Sequence, residues 1–279
     1  MIEAPVWLNG QPQAFESNGI YQNRGLHYGD GVFRTLLKVG GEVVDMEGQV
    51  EHLLNDARAL GMASVDHSLL AKEINAASAS LVDSVLKVML TRIAGGRGYR
   101  PAADRVDRLI LSYPVPQFPA THWQHGIVAM RATVALAEQP RLAGIKHLNR
   151  LEQVLASRDW PAHADELLHE DCAGRVVCGN RSNLFWASGG VLYTPELSRC
   201  GIAGRTRARL LAFAAHAGLS VKIQDSRWED LLGADEAFVA NSVIGIWPLR
   251  RFEDRVWKAP GAATRTLQGL LKHPLSVGA

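Results

Sequence analysis

The chain has 279 residues, 47% of them hydrophobic and 21% charged, with 30 lysines and arginines against 28 aspartates and glutamates. That composition excludes a disordered polymer, and interleaved charges of both signs leave no basic stripe to track a phosphate backbone, so nucleic acid is not expected as a partner. No window approaches 18 uninterrupted apolar residues, the first residues lack a basic and apolar leader pattern, and Cys172, Cys178 and Cys200 form no CxxC pair; a membrane span, a disulfide framework and a metal site are all unexpected, and a cytoplasmic setting follows.

In chain order, "VWLNGQPQAF" places Asn9-Gly10 between apolar residues and predicts a hairpin. "GLHYGDGVFRTLLKVGGEVV" reads as loop, strand, Gly-Gly turn and strand. "DMEGQVEHLLNDARALGM" carries Val50, Leu53, Leu54, Ala57 and Leu60 at helical spacing and stops at Gly61, and a second helix is expected over "HSLLAKEINAASASL". Strands follow at "SVLKVMLTRI" and "RLILSYPVP", and the proline-rich "PVPQFPATHW" cannot continue a central strand. A domain boundary is placed there, giving a smaller α+β domain at 1–118 and a larger β-rich, barrel-like domain with outer helices at 119–279.

In the second part, "GIVAMRATVAL" predicts a strand and "HLNRLEQVLASRDW" a helix. "DELLHEDCAGRVVCGNRSNLFWASGGVLYTP" predicts short strands turning at Ala173-Gly174 and Gly189-Gly190. "GRTRARLLAFAAHAG" predicts a helix closing on Gly218, and "ADEAFVANSVIGIWPL" one apolar strand leading into a loop. A small-molecule site is expected between the two domains. Its first candidate is Lys146, flanked by Leu142, Ala143, Ile145 and Leu148. An apolar setting lowers the pKa of an amine and leaves it neutral enough to attack a carbonyl carbon, although a lysine in that position can equally run along the surface to water.

Six blocks together resemble one family: "NRGLHYGDGVFRTL", "TRIAGGRGY", "LAGIKHLNRLEQVLA", "SNLFW", "RCGIAGRTRARLL" and "DEAFVANSVIGIWPL". In this order they are similar to the class IV aminotransferase-like, pyridoxal-5'-phosphate-dependent proteins of fold type IV. "KHLNRLEQVL" with "GGRGY" resembles the lyase branch, which releases pyruvate from 4-amino-4-deoxychorismate in folate synthesis. The resemblance implies that Lys146 carries the cofactor as an internal aldimine and later acts as general base. Backbone N–H groups of Arg205 and Thr206, with the Thr206 and Ser242 hydroxyls, would hold the phosphate at a helix N-terminus. It also implies Thr35 as a proton donor or carrier of water. The two carboxylates of such a substrate call for arginines, with Arg97 and Arg24 as the candidates and His27 and Tyr28 near the latter; Asn149, one helical turn after the lysine, is either a residue that orients it or a helix cap. A homodimer is implied, with Arg24, His27 and Arg97 as exposed loop residues near its boundary.

Two positions depart from the family. Cys178 stands where a glutamate usually faces the pyridine nitrogen, a pairing that a neutral thiol cannot replace but that a thiolate could. His52 aligns with an arginine that usually reaches the phosphate, and it lacks the bidentate fork and carries full charge only below about pH 6.5; Arg58 is the alternative source of charge. Two other readings stay open: an aminotransferase for D- or branched-chain amino acids, and a cofactor-poor relative without catalysis.

Overall fold

The computed structural model describes residues 6–8, 11–13, 23–93, 98–101 and 105–277. Strands β1 (Val6–Leu8) and β2 (Gln11–Gln13) pair antiparallel, as the Asn-Gly signal predicts, while the turn residues themselves lie outside the described residues. The expected loop before the next strand contains a short helix, α1 (Arg24–Tyr28). Asn23 caps its first turn by accepting from Gly25 N–H, and Gly29 ends it in the left-handed region at φ 64°.

Strands β3 (Gly31–Val39), β4 (Glu42–Val43), β5 (Ser84–Arg92) and β6 (Val106–Tyr113) form an antiparallel sheet in the order β4-β3-β5-β6. Helices α2 (Met46–Ala59) and α3 (His67–Ala77) cover one face of it. Alternation decides which side chains they meet. Val32 and Leu36 of β3 pack with Leu86, Val88 and Leu90 of β5 and with Val50, Leu53, Leu70 and Ile74 of the helices. The intervening residues Phe33, Thr35, Lys87 and Met89 fall on the opposite face by the two-residue period of a strand.

After α4 (Thr121–Gln124) comes the larger sheet, which contains β7 (Ile127–Arg131), β8 (Glu166–Glu170), β9 (Val176–Gly179), β10 (Asn183–Ser188) and β11 (Val191–Pro195). Helix α5 (Leu151–Arg158) lies between β7 and β8 in sequence. Helix α6 (Arg205–His216), β12 (Ser220–Gln224), α7 (Trp228–Leu232), β13 (Glu236–Asn241), β14 (Gly245–Phe252), β15 (Arg255–Val256), α8 (Ala262–Leu271) and α9 (Pro274–Val277) complete the described chain. The strand order is β12-β11-β10-β13-β14-β7-β8-β9, with β15 on β14. Its interior buries Trp123, Trp186, Trp228, Trp247 and Phe252, while Phe185, Phe238, Leu210 and Leu267 form a second core beneath α6 and α8.

Two further elements differ from expectation. The apolar run 236–249 is a hairpin of β13 and β14 rather than one strand, because the Asn241 side chain accepts from the N–H groups of Val243 and Ile244 and turns the chain. The helix expected from His147 begins only at Leu151. Residues 146–148 are instead extended along β3: Phe33 N–H donates to the Lys146 carbonyl at 2.9 Å, and Leu148 N–H donates to Gly31 at 3.0 Å. Lys146 and Asn149 therefore do not share a helical turn.

Candidate active site

Lys146 lies on a segment stitched to β3 and to the loop that precedes α6. On one side are its bonds to β3. On the other, Gly144 N–H donates to Gly201 at 3.0 Å and Ala203 N–H donates back to Gly144 at 3.0 Å. Gly144 adopts φ 79°, which a residue with a Cβ rarely takes. The lysine amine lies over the Phe33 ring, 4.6 Å from its centroid, and Lys87 Nζ lies 4.9 Å from the same ring. Thr35 is the cross-strand partner of Lys87. One apolar ring thus meets two amines, and Thr35 shares its strand face two residues on.

The Lys146 pKa falls from its ordinary value to about 7, first because protein desolvates the amine and then because the Arg34 and Arg150 guanidiniums repel a positive charge. Asp56 and Cys178 oppose this shift only in part. A substantial neutral fraction at neutral pH is what a carbonyl-attacking amine requires. Beneath the lysine, Arg34 Nη2 donates to Asp56 Oδ2 at 2.5 Å, and both residues are buried. Asp56 also accepts from the Lys146 backbone N–H at 3.3 Å. The same carboxylate therefore neutralises the nearest arginine and fixes the lysine's backbone.

The N-terminus of α6 lies across the site. Its N-cap, Gly204, supplies no side-chain acceptor. The turn before it is clamped by Asn183, whose Nδ2 donates to the Ile202 carbonyl at 2.7 Å while its Oδ1 accepts from Gly204 N–H at 3.1 Å. A Cβ on Gly204 would stand 2.3 Å from that oxygen, so the clamp requires glycine. Thr206 Oγ1 lies 3.3 Å from Ser242 Oγ, and Gln49 Nε2 of α2 donates to the same serine oxygen at 2.7 Å. Two hydroxyls thus meet at a helix start, the kind of donor set that suits an anion. Arg205 directs its guanidinium at Asp45, at 2.7 and 3.0 Å.

The two departures have distinct surroundings. Cys178 is buried among Leu136, Val177, Leu197 and Cys200. Its thiol is pushed up to about 12, chiefly by burial, with Cys200 and Glu166 adding to the effect and Arg150 and Lys146 opposing it. It is therefore a neutral S–H at neutral pH and not the thiolate that the sequence left open. His52 Nε2 lies 3.1 Å from the Ala203 carbonyl, and its pKa is lowered by desolvation and then by Arg34. Arg58 is exposed on another face of α2 and bonds Asn55. In native protein near pH 8, a thiol alkylating agent is expected to modify exposed Cys172 and spare Cys178 and Cys200, whose own pKa is about 11. Peptide mass mapping reads this directly.

A cavity of about 330 Å³ adjoins the lysine segment and is lined by Arg24, Tyr28, Tyr99, His147 and Asn149 among others. Arg24, expected as an exposed loop residue, is buried in α1. It donates from Nε to Asp30 at 2.7 Å, from Nη1 to Gly98 at 2.9 Å and from Nη2 to Tyr99 at 2.7 Å. Its fork holds the neighbouring loop. Asn149 Nδ2 donates to Gly29 at 3.3 Å and joins the lysine segment to α1. Tyr28 packs edge-on against Tyr99, whereas His27 is exposed and does not line the cavity. Arg97 lies outside the described residues.

Phe33, Lys87, Arg34, Asp56, Gln49 and Asn183 escaped the sequence reading. One signal was present for α2: Asp45, Gln49, His52 and Asp56 are polar residues three and four apart, a stripe on one helical face.

The profile described as amino-transferase class IV matches residues 31–252, and the chain belongs to that family. Among its relatives is the aminodeoxychorismate lyase of Vibrio harveyi, 32% identical over 273 residues that cover 95% of this chain and 98% of the relative. Among solved structures, the 4-amino-4-deoxychorismate lyase of Pseudomonas aeruginosa superposes with a TM-score of 0.87 at 42% identity, covering 97% of this chain and 99% of that one. The branched-chain aminotransferase of Thermoproteus uzoniensis, solved with norvaline, shares the fold with a TM-score of 0.81 at 22% identity, over 98% of this chain and 95% of that one.

Proposed function

We propose that the chain is a pyridoxal-5'-phosphate-dependent lyase that converts 4-amino-4-deoxychorismate to 4-aminobenzoate and pyruvate. The observation that carries this reading is the desolvated Lys146 amine, with a pKa of about 7, over a ring that also meets Lys87. The donor set fits the cofactor at two of its three polar ends: Lys146 at the aldehyde, and the start of α6 with Thr206 and Ser242 at the phosphate. At the ring nitrogen, Cys178 offers a neutral thiol instead of a carboxylate. When bound, pyridoxal phosphate supplies an aldehyde for covalent attachment and an electron sink for the carbon bearing the substrate amine.

The chain's own groups do the rest. Lys146 would hold the cofactor's aldehyde, and its amine, when free, would take the proton from the amine-bearing ring carbon of the substrate. As the C–O bond to the enolpyruvyl group breaks, that group gains a proton, which Thr35 donates or relays from water. Lys87 and Arg97 hold the two substrate carboxylates. Because the ring becomes aromatic, the substrate supplies much of the driving force, so a neutral partner at the ring nitrogen suffices here and suits a lyase better than an aminotransferase.

Within this reading, residues 1–118 are the smaller domain and 119–279 the cofactor-binding domain of a cytoplasmic homodimer in folate synthesis. The exposed apolar side chains Leu151, Val154 and Leu155 of α5, with Leu26 of α1, support a partner surface there. The test is incubation with 4-amino-4-deoxychorismate and pyridoxal phosphate. Equimolar 4-aminobenzoate and pyruvate are expected; amino-group transfer from an amino acid without either product would support an aminotransferase instead. Lys87→Met is expected to raise KM roughly tenfold or more by removing one carboxylate partner, with no change in cofactor affinity. Steady-state kinetics beside a cofactor titration separate the two effects.

A further inference from the structure

Gln49 is buried on α2, only 4% exposed, and reaches 193 positions along the chain to Ser242. Its Nε2 donates to Ser242 Oγ at 2.7 Å, and that oxygen lies 3.3 Å from Thr206 Oγ1. A hydroxyl has one hydrogen to give. When its oxygen accepts from an amide, that hydrogen is released toward another acceptor. Gln49 therefore occupies one acceptor position of Ser242 and turns its hydroxyl hydrogen away from α2, while either hydroxyl can donate across the 3.3 Å between Ser242 and Thr206.

The cations nearby are engaged elsewhere. Arg205 bonds Asp45, Arg207 donates to the Thr194 hydroxyl at 3.3 Å and to the Pro195 carbonyl at 3.0 Å, and Arg209 lies 4.0 Å from Asp45. His52 is turned to the Ala203 carbonyl. Among the described residues, what remains at this helix start are neutral donors, and their orientation determines how well they hold an anion.

We propose that Gln49 is a positioning residue for the cofactor phosphate, acting by orienting the Ser242 hydroxyl as a donor. This rests on the reading that the start of α6 holds the phosphate. Gln49 takes over, through a neutral relay, part of the work that a guanidinium would perform by charge.

The test compares dissociation constants for pyridoxal 5'-phosphate and for pyridoxal, which lacks the phosphate, on the full chain stripped of cofactor. Gln49→Met is expected to weaken pyridoxal phosphate about tenfold and leave pyridoxal unchanged. Gln49→Glu, which keeps the size, is expected to weaken it further, because a carboxylate accepts from Ser242 and adds negative charge. Ser242→Ala should reproduce the loss, and the double variant Gln49→Met with Ser242→Ala should be no worse than Ser242→Ala alone. Equal weakening of pyridoxal, or additive losses in the double variant, would overturn the relay while leaving the phosphate site intact. If Ser242→Ala itself leaves the preference for the phosphate ester unchanged, the phosphate reading fails and this inference falls with it.

Discussion

Lys146→Ala is expected to lower 4-aminobenzoate formation by more than about 10³-fold, since in the proposed mechanism one side chain is both the attachment point and the base. The same substitution should make the cofactor-free protein more stable near neutral pH. The pKa is about 7 in the folded chain and 10.5 in the unfolded one. Below pH 7 both states carry the charge and the folded state bears the full cost of holding it in a desolvated place. Between pH 7 and 10.5 the unfolded state binds more protons, so the stability of the parent protein rises with pH. Each tenfold change in a proton-binding constant corresponds to about 1.4 kcal/mol, so the cost is several kcal/mol at neutral pH. Lys146→Ala also deletes half-buried methylenes, which offsets part of the gain. Lys146→Met keeps most of that packing and is the cleaner variant. Denaturant unfolding from pH 6 to 10.5 should find its advantage greatest at the acid end and vanishing at the alkaline end. A pH-independent difference would contradict the assigned pKa.

Asp56→Ala carries the second large effect. Arg34 is 3% exposed, and its pKa is already lowered by desolvation against the support of Asp56. Removing the carboxylate leaves a buried guanidinium without its counter-charge, which costs about 3–5 kcal/mol. The effect reaches the catalytic centre as well. Asp56 raises the Lys146 pKa and Arg34 lowers it, so loss of Asp56 alone should move the acid limb of the pH profile below that of the parent protein. The double substitution of Arg34 and Asp56 by leucine should recover most of the stability, because neither charge is then stranded. A stability loss in Asp56→Ala no greater than that of an ordinary surface substitution, or an unmoved acid limb, would refute the coupling. Urea titration and kcat against pH, which reports the complex in which the Lys146 amine is free, read the two effects separately.

The sequence made much of this legible, and unevenly. The helix α2 was readable from apolar spacing because Val50, Leu53 and Ala57 must face the sheet, and Gly61 marks its end at φ 62°. Strands 84–92 and 106–113 were legible as two apolar runs, but their antiparallel pairing was not. Residues 146–149 misled, because their helix-compatible pattern is overridden by a ladder with a strand more than a hundred positions earlier. The same holds for 236–249, where one side-chain turn at Asn241 splits an apolar run. Helix α8 went unread although Thr264, Leu267 and Leu271 form its buried face, and Glu236 caps its first turn from β13.

At the site, Lys146 was legible through its apolar neighbours, but the causes of its lowered pKa were not. Arg34 lies on β3 and Asp56 on α2, and only the sheet register and the helix face bring them beneath the lysine. Lys87 looked like any strand lysine until its pairing with Thr35 placed it beside Phe33. The fate of Cys178 also needed the fold: four apolar or sulfur neighbours decide that the thiol stays protonated.

The most direct measurement is reductive trapping of the attached cofactor across pH. The full chain is incubated with pyridoxal 5'-phosphate at pH 5 to 10, reduced with borohydride and mapped by peptide mass spectrometry. The modification is expected on the peptide that contains Lys146, with a midpoint near pH 7. Trapping on Lys87 or another lysine, or on Lys146 with a midpoint near that of an ordinary amine, would contradict the account.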